Sequence, residues 1–241
     1  MRLDLYVFSS NLADSRTSAK SIILSGNVTV NGTVVTKPSY DVQEDDEVAV
    51  VQEIKKYVSR GGIKLEHALD TFKIDVCGRD AIDIGASTGG FTDCLLKHGA
   101  SRVIAVDSGT NQLARVLRED ARVTVKENFN ARYMTPSDLI YLPQIVVMDV
   151  SFISATLIIP SIYNCLSHGG DFVCLIKPQF EVGRNKLGKN GIVKNESYRN
   201  MAVEKVTKFA ESVGFSCVYV IRSPIEGGDG NVEFLAHFRK L

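Results

Sequence analysis

The segment Asp83-Ile-Gly85-Ala-Ser-Thr-Gly89-Gly90-Phe91 places an acid, three glycines and small polar residues between a short apolar run and a helix-prone stretch. Glycines let a ligand approach the backbone closely, and a helix opening there offers free N–H groups. A dinucleotide fingerprint needs glycine at the second position of G-x-G-x-x-G, but Ser87 stands there. No G-K-[ST] ending follows, which disfavours a phosphate-binding loop. What fits is a nucleoside-type ligand without a demanding pyrophosphate. Asp107 ends the next apolar run, twenty-four positions after Asp83. An open α/β sheet places the acid that binds ribose hydroxyls there. Four more charged residues flank apolar runs. Asp149 follows Ile145-Val-Val-Met148, and Lys177 follows Val173-Cys-Leu-Ile176 and precedes Pro178. Lys64 lies in a helix-prone stretch before the first run, and Glu233 enters the last run after a glycine-rich turn. Ligands of open sheets bind beyond the carboxyl ends of the strands. Asp149 and Lys177 stand at such ends, where a purely structural residue need not be charged.

These residues need a scaffold, and the hydrophobic pattern describes one. From about residue 56 onward, short apolar strands are expected at 81–84, 102–106, 122–125, 145–148, 172–176 and 217–221. Helical stretches lie around 90–98, 110–119, 154–167 and 197–213. This alternation predicts a parallel sheet with helices on both faces. The last strand, 232–238, follows Glu226-Gly-Gly-Asp-Gly-Asn too closely for a helix to intervene, so the final two strands should form an antiparallel hairpin at the sheet edge. The first fifty residues differ. Asp14 or Ser15 can cap a short helix with Ala19, Ile22 and Ile23 on its apolar face and Gly26 as its stop. Val28–Val30 and Thr33–Val35 flank Asn31-Gly32, the pair that a type I′ hairpin turn favours. An acidic turn, 44–47, precedes a last strand at 48–51. The expected fold is α/β: a Rossmann-like, mostly parallel sheet with an antiparallel last strand over residues 57–241, a linker at 52–56, and a small α+β domain over 1–51.

An acid, a glycine loop and a second acid together resemble the S-adenosylmethionine-dependent methyltransferases. Lys64, Asp149, Lys177 and Glu233 match, in order and context, the Lys-Asp-Lys-Glu tetrad of the FtsJ-like ribose methyltransferases. The strings Ser59-Arg-Gly-Gly-Ile-Lys64-Leu, Asp149-Val-Ser-Phe-Ile-Ser154, Lys177-Pro-Gln-Phe-Glu181 and Gly230-Asn-Val-Glu233-Phe are similar to the hemolysin A (TlyA) family of ribosomal-RNA methyltransferases. In that family an RNA-binding domain of the ribosomal-protein-S-four type comes first. Arg2-Leu-Asp4, Ser15-Arg16, Ala19-Lys20, Gly26-Asn-Val28 and Val30-Asn-Gly32 match it. The resemblance covers essentially the whole chain and implies methylation of a ribose 2′-hydroxyl, of cytidine, in ribosomal RNA within ribosomal subunits. It implies S-adenosylmethionine as cofactor, held by Asp83, Gly85, Ala86, Ser87, Thr88, Gly89, Gly90, Phe91, Asp107, Asn128 and Asp149. A ribose hydroxyl is a weak acid, and an ordinary lysine is protonated at neutral pH. Burial and a neighbouring cation lower a lysine pKa. Lys177 is therefore expected to be the general base, tuned by Lys64 and oriented by Asp149 and Glu233. A base methyltransferase is the nearer alternative, but Asp149-Val-Ser-Phe lacks the prolines of the loops that serve base amines. A membrane-active hemolysin and a non-catalytic RNA-binding assembly factor are the others.

The chain has 241 residues, 44% hydrophobic and 23% charged, with 28 basic and 28 acidic side chains. That composition is globular, and zero net charge excludes nucleic-acid coating by bulk electrostatics. The opening MRLDLYVFSS lacks the apolar run of a secretory signal. The apolar stretch 144–166 contains Asp149, several serines and Pro160, so no membrane span is expected. Five scattered cysteines without a C-x-x-C pair point to reduced thiols, no structural metal and a cytoplasmic location. The four histidines are isolated and carry no expected role. Charge is nevertheless unevenly placed. Residues 177–208 hold eight basic against three acidic side chains, and 183–191 is expected to be a mobile loop beside the site. Arg184, Lys186 and Lys189 there, Arg60 at the domain junction, and Arg2, Arg16, Lys20 and Lys37 in the first domain are candidate RNA contacts; Tyr57, also at the junction, is equally expected as a packing residue or an RNA contact. Arg16 and Lys20, spaced i, i+4, share a helix face. Charge reversal at Lys186 and Lys189 should weaken RNA binding and flatten its dependence on salt, measured by titration at several ionic strengths.

Overall fold

The apolar residues of the first fifty positions meet in one small core. The structure, a computed structural model, describes residues 1–13, 15–50 and 56–241. It divides into two units, Met1–Lys55 and Lys56–Leu241. In the first, helices α1 (Leu3–Ser9) and α2 (Arg16–Leu24) cover strands β1 (Val28–Val30), β2 (Thr33–Val34) and β3 (Val48–Val50). Leu3, Val7, Ala19, Ile23, Val28, Val30 and Val42 form the core. The Ser15 side chain accepts the Ser18 N–H and caps α2; the other expected cap, Asp14, lies outside the described residues. Asn31 and Gly32 both adopt positive φ, 52° and 77°, as the type I′ turn requires. The strand β3 pairs with the free edge of β1, so β1 is central. Helix α1 was not anticipated. Leu3 and Val7, one turn apart, are its fully buried apolar residues, with Tyr6 partly buried against them, and its N-cap Arg2 supplies no side-chain cap.

The second unit is a seven-stranded sheet. Helix α3 (Gly61–Phe72) comes first, then β4 (Asp80–Ile84), α4 (Gly90–Lys97), β5 (Arg102–Val106), α5 (Arg115–Arg118), β6 (Val123–Lys126) and β7 (Ile145–Met148). Helix α6 (Ile159–Cys165), β8 (Asp171–Ile176), α7 (Pro178–Glu181), α8 (Glu196–Val213), β9 (Phe215–Arg222) and β10 (Phe234–Lys240) follow. The order across the sheet is β6-β5-β4-β7-β8-β10-β9. Strands β4 to β8 are parallel. Alternate strand residues face opposite layers. Ala81, Val103 and Val147 pack with Leu65, Leu69 and Leu95 on one face, and Ile82, Ile104 and Val146 with Ile159, Ile162 and Val206 on the other. Apolar burial on both faces is what a parallel sheet demands.

The final strands form the expected antiparallel hairpin, but only β9 is at the edge. Strand β10 inserts between β9 and β8, antiparallel to both. The expected helix at 110–119 shortens to α5. Glu127 accepts the N–H groups of Asn111 and Gln112, and Asn111 takes a positive φ of 55°, which holds 110–114 in a loop. The expected linker falls, apart from Lys56, on residues 52–55, outside the described residues, as does Val51.

At the sheet end away from the glycine loop, Asp171 opens β8 and is nearly buried. It accepts a hydrogen bond from Arg79 Nη1 at 2.9 Å, and His237 Nε2 lies 2.9 Å from its other oxygen. The His237 ring stacks on Phe72. Burial pushes the Asp171 pKa up, but the bonds from His237 and Arg79 outweigh it and hold it below the usual carboxylate value. A depressed folded-state pKa stabilises above the unfolded value and is lost as pH falls through the folded one. Asp171→Asn should therefore cost about 2 kcal/mol at pH 7, and the gap to the wild type should close below roughly pH 4, read from urea unfolding at both pH values.

Candidate active site

Strands β4 and β7 are neighbours, with Ile84 opposite Met148. Order reverses here, β5 lying on one side of β4 and β7 on the other, which opens a crevice beyond the strand ends. Gly85 takes φ +82°, and a Cβ on it would fall on the Asp149 carbonyl. Gly85 and Ala86 donate to Val106 O at 2.9 and 3.0 Å. Asp107 ties the loop down, its two oxygens accepting Ser87 N–H and Gly109 N–H at 2.7 Å each.

Two adjoining cavities share Gly85, Ser87, Asp149 and Ser151. The larger, ≈ 470 Å³, joins Asp107, Ser108 and Gln112 to apolar walls from Phe129, Ala131, Ile153 and Ile158. The smaller, ≈ 280 Å³, is lined by Ser59, Arg60, Gly61, Lys64, Ala86, Thr88, Gly90, Phe91 and Lys177. Lys177 Nζ lies 2.6 Å from Asp149 Oδ1 and donates to Ser151 Oγ at 2.9 Å. Lys64 Nζ donates to Glu233 Oε2 at 2.5 Å; their side chains are 9% and 3% exposed. The antiparallel β10 makes this possible. Phe234 sits opposite Ile176, so Glu233, entering β10, arrives where Lys177 leaves β8. The expected direct coupling of the two lysines takes another form, with each lysine amine facing its own carboxylate.

Three residues expected at the cofactor do not line either cavity. Asp83 is fully buried beneath the loop, its Oδ2 accepting Thr92 N–H at 2.9 Å and Thr92 O–H at 2.7 Å. Gly89 caps α4 at φ +95°, where a Cβ would strike Leu117 and Leu113; it is glycine for packing. Asn128 is exposed and turns the chain at φ 53°, and Phe129 and Asn130 take the wall instead.

Among the candidate RNA contacts, Arg2 Nε and Nη2 grip the buried Asp4 carboxylate at 2.9 and 3.1 Å, with Arg16 Nη2 at 3.9 Å. Lys20, Lys37 and Lys189 are exposed. Tyr57 is buried and packs on Gly62, which removes it as an RNA contact. The segment 183–191, expected to be mobile, forms two 3-10 turns, Arg184–Lys186 and Lys189–Gly191. Buried Asn231 holds it, accepting Val193 N–H and donating to Gly191 O. Lys186 lies over the Tyr198 ring. The sequence reading missed Phe152. It is 92% exposed at φ +65°, stands 5.3 Å from Phe180, and walls a third cavity of ≈ 570 Å³ with Arg184, Asn190, Asp229 and Asn231. Its only signal was an aromatic residue three positions beyond a strand-end acid. Among the described residues no group of His, Cys, Asp or Glu is placed to hold a metal, and no helix is long and apolar enough to cross a membrane.

The chain is similar to known proteins over its whole length. Residues 57–240 match the FtsJ-like methyltransferase family, and residues 1–48 match the S4 domain. The chain is 47% identical to Hemolysin A of Brachyspira hyodysenteriae, across 99% of both chains. It is 41% identical to a Mycobacterium tuberculosis protein named 16S/23S rRNA (cytidine-2′-O)-methyltransferase TlyA, over 99% of this chain and 89% of that one. A solved structure of a candidate hemolysin from Streptococcus thermophilus superposes with a TM-score of 0.80 at 46% identity, covering 100% of this chain and 88% of the other.

Burial raises the Asp83 pKa to about 7; the Thr92 hydrogen bonds oppose that and the nearby Asp149 charge reinforces it. A raised folded-state pKa gives stability that is fully present below the unfolded value and is lost as pH rises through the folded one. Asp83→Asn keeps an acceptor for Thr92 and removes the ionisation. Its melting temperature should gain on the wild type between about pH 4 and pH 7; a constant difference across that window would refute the assignment.

Proposed function

Because the chain belongs to the FtsJ-like methyltransferases of the hemolysin A (TlyA) family and carries an S4 domain ahead of that fold, we propose that it methylates the ribose 2′-hydroxyl of a cytidine in ribosomal RNA, in the cytoplasm. The observation that carries this reading is the rim of charged side chains, Lys64, Asp149 and Lys177 with Glu233 behind them, opening onto the same crevice as the glycine loop.

The crevice suits S-adenosylmethionine. Backbone at Gly85 comes so near Asp149 that only glycine leaves the cradle open. Asp107, with its carboxylate fixed by two N–H groups, suits ribose hydroxyls, and Phe129, Ala131, Ile153 and Ile158 offer an apolar slot for a flat base. When bound, the cofactor supplies an electrophilic sulfonium methyl. In its neutral form Lys177 accepts the proton of the ribose hydroxyl as that oxygen becomes the nucleophile, and Asp149 stabilises the ammonium so formed. Ser151 fixes the direction of the lysine amine. Lys64, neutralised by Glu233, borders the same cavity and orients the hydroxyl. Positioning of this kind supplies much of the barrier reduction in a two-substrate transfer. Phe152 and Phe180 lie tilted against each other beside the site, and the exposed Phe152 ring offers aromatic surface for an unstacked base. Arg2, Arg16, Lys20 and Lys37 on the S4 unit, and Arg60, Arg184, Lys186 and Lys189 on the catalytic unit, engage phosphates of the folded RNA within a ribosomal subunit.

The test is transfer from labelled S-adenosylmethionine to isolated ribosomal subunits, followed by digestion of the RNA to nucleosides. Label should appear in 2′-O-methylcytidine, and Lys177→Ala should lower the rate by about 10²-fold or more. Label in a methylated base, or full activity in Lys177→Ala, would sink the assignment.

A further inference from the structure

Two segments carry the reacting side chains to the rim, 149–155 beyond β7 and 177–181 beyond β8. Neither is a strand, so the ladder that aligns β7 with β8 stops short of both. A carboxylate joins them instead. The Glu181 side chain is 2% exposed. Its Oε1 accepts Ala155 N–H at 2.7 Å, and its Oε2 accepts Ser154 O–H at 2.6 Å and Lys205 Nζ at 2.9 Å. Lys205, on α8, also donates to the Glu181 carbonyl at 3.1 Å. One buried side chain thus fastens the Asp149 segment, the Lys177 segment and the long helix behind them. Burying a carboxylate is costly even when it is paired, and an apolar side chain could fill the same space without that cost. It could not accept the Ser154 and Ala155 donors.

We propose that Glu181 is a positioning residue, a clasp that sets Asp149 against Lys177 and holds Phe152 beside Phe180. This rests on the reading of Lys177 as the base. The clasp acts on geometry alone, since Glu181 lines none of the cavities described above. An ångström of slack between the two segments is enough to cost on the order of 10²-fold in rate.

The experiment compares the full-length wild type with Glu181→Gln, Lys205→Met and Ser154→Ala. Glutamine keeps one acceptor but turns an amide N–H toward donors. Single-turnover methyl transfer in Glu181→Gln should fall between about tenfold and 10²-fold, with a displaced pH–rate profile. Lys205→Met and Ser154→Ala, which leave the carboxylate in place, should lose less. A second readout needs neither RNA nor cofactor: acylation of Lys177 by an amine reagent, located by mass spectrometry, with Lys20 as internal reference. Reactivity of Lys177 relative to Lys20 should change severalfold in Glu181→Gln and less in the other two. Should Glu181→Gln fail to fold, the other two variants carry the test. Unchanged Lys177 reactivity with an unmoved pH profile in every folded variant overturns the clasp. If the wild type transfers no methyl group to RNA, the functional reading fails, and the acylation comparison still decides for or against Glu181.

Discussion

The site depends on how closely two neighbouring strands run out together. Where β4 and β7 end, Gly85 meets the Asp149 carbonyl with no room for a side chain. That approach makes one crevice of two cavities, because Gly85 and Asp149 belong to the walls of both. A cofactor reaching across the switch point would then touch the same aspartate that contacts Lys177. An alanine at 85 would need a positive φ that a Cβ disfavours, and it would push the β4 and β7 ends apart, so binding and chemistry would be lost together.

Charge is handled differently at the two ends of the sheet. At the far end, Asp171 gathers His237 and Arg79 into one hydrogen-bonded cluster, away from the two cavities of the rim. At the rim, two lysines lie against two carboxylates and three of the four groups border open space. Burying charged groups is costly, and at the rim each lysine has a carboxylate against it that offsets part of that cost. Asp83 bears the opposite burden. It sits unexposed below the loop, held among the described residues by Thr92 on one oxygen, and it supports the loop from beneath.

Much of this was legible in the residues. The strands at 102–106 and 145–148 follow directly from apolar runs, and Asn31-Gly32 marked its turn, since each of these signals is local. Asp149 and Lys177 stood out because charge at the end of a buried strand has few structural explanations, whereas Lys64, on a helix, and Glu233, entering the last strand, were marked by the resemblance to the Lys-Asp-Lys-Glu tetrad. What escaped depends on distant partners. Helix α1 has no cap and too few core residues to show a period. The loop at 110–114 is held open by Glu127 from beyond the next strand. Asp83 and Gly89 match the motif, yet their directions, down to Thr92 and across to Leu117, follow from packing that no spacing displays. Phe152 looked like one more apolar residue until its backbone turned it out into solvent.

The place of β10 bears on the order in which the protein can be finished. It is the last strand in the chain, yet it lies inside the sheet, between β8 and β9. Until it is made, both neighbours present unpaired backbone to solvent, the kind of edge that recruits other chains. Lys64 also waits, because its carboxylate partner precedes that same strand. The docking of seven residues therefore joins β9 to the rest of the sheet, adds Leu235, Ala236 and Phe238 to the core, and brings the Lys64 partner into place in one step.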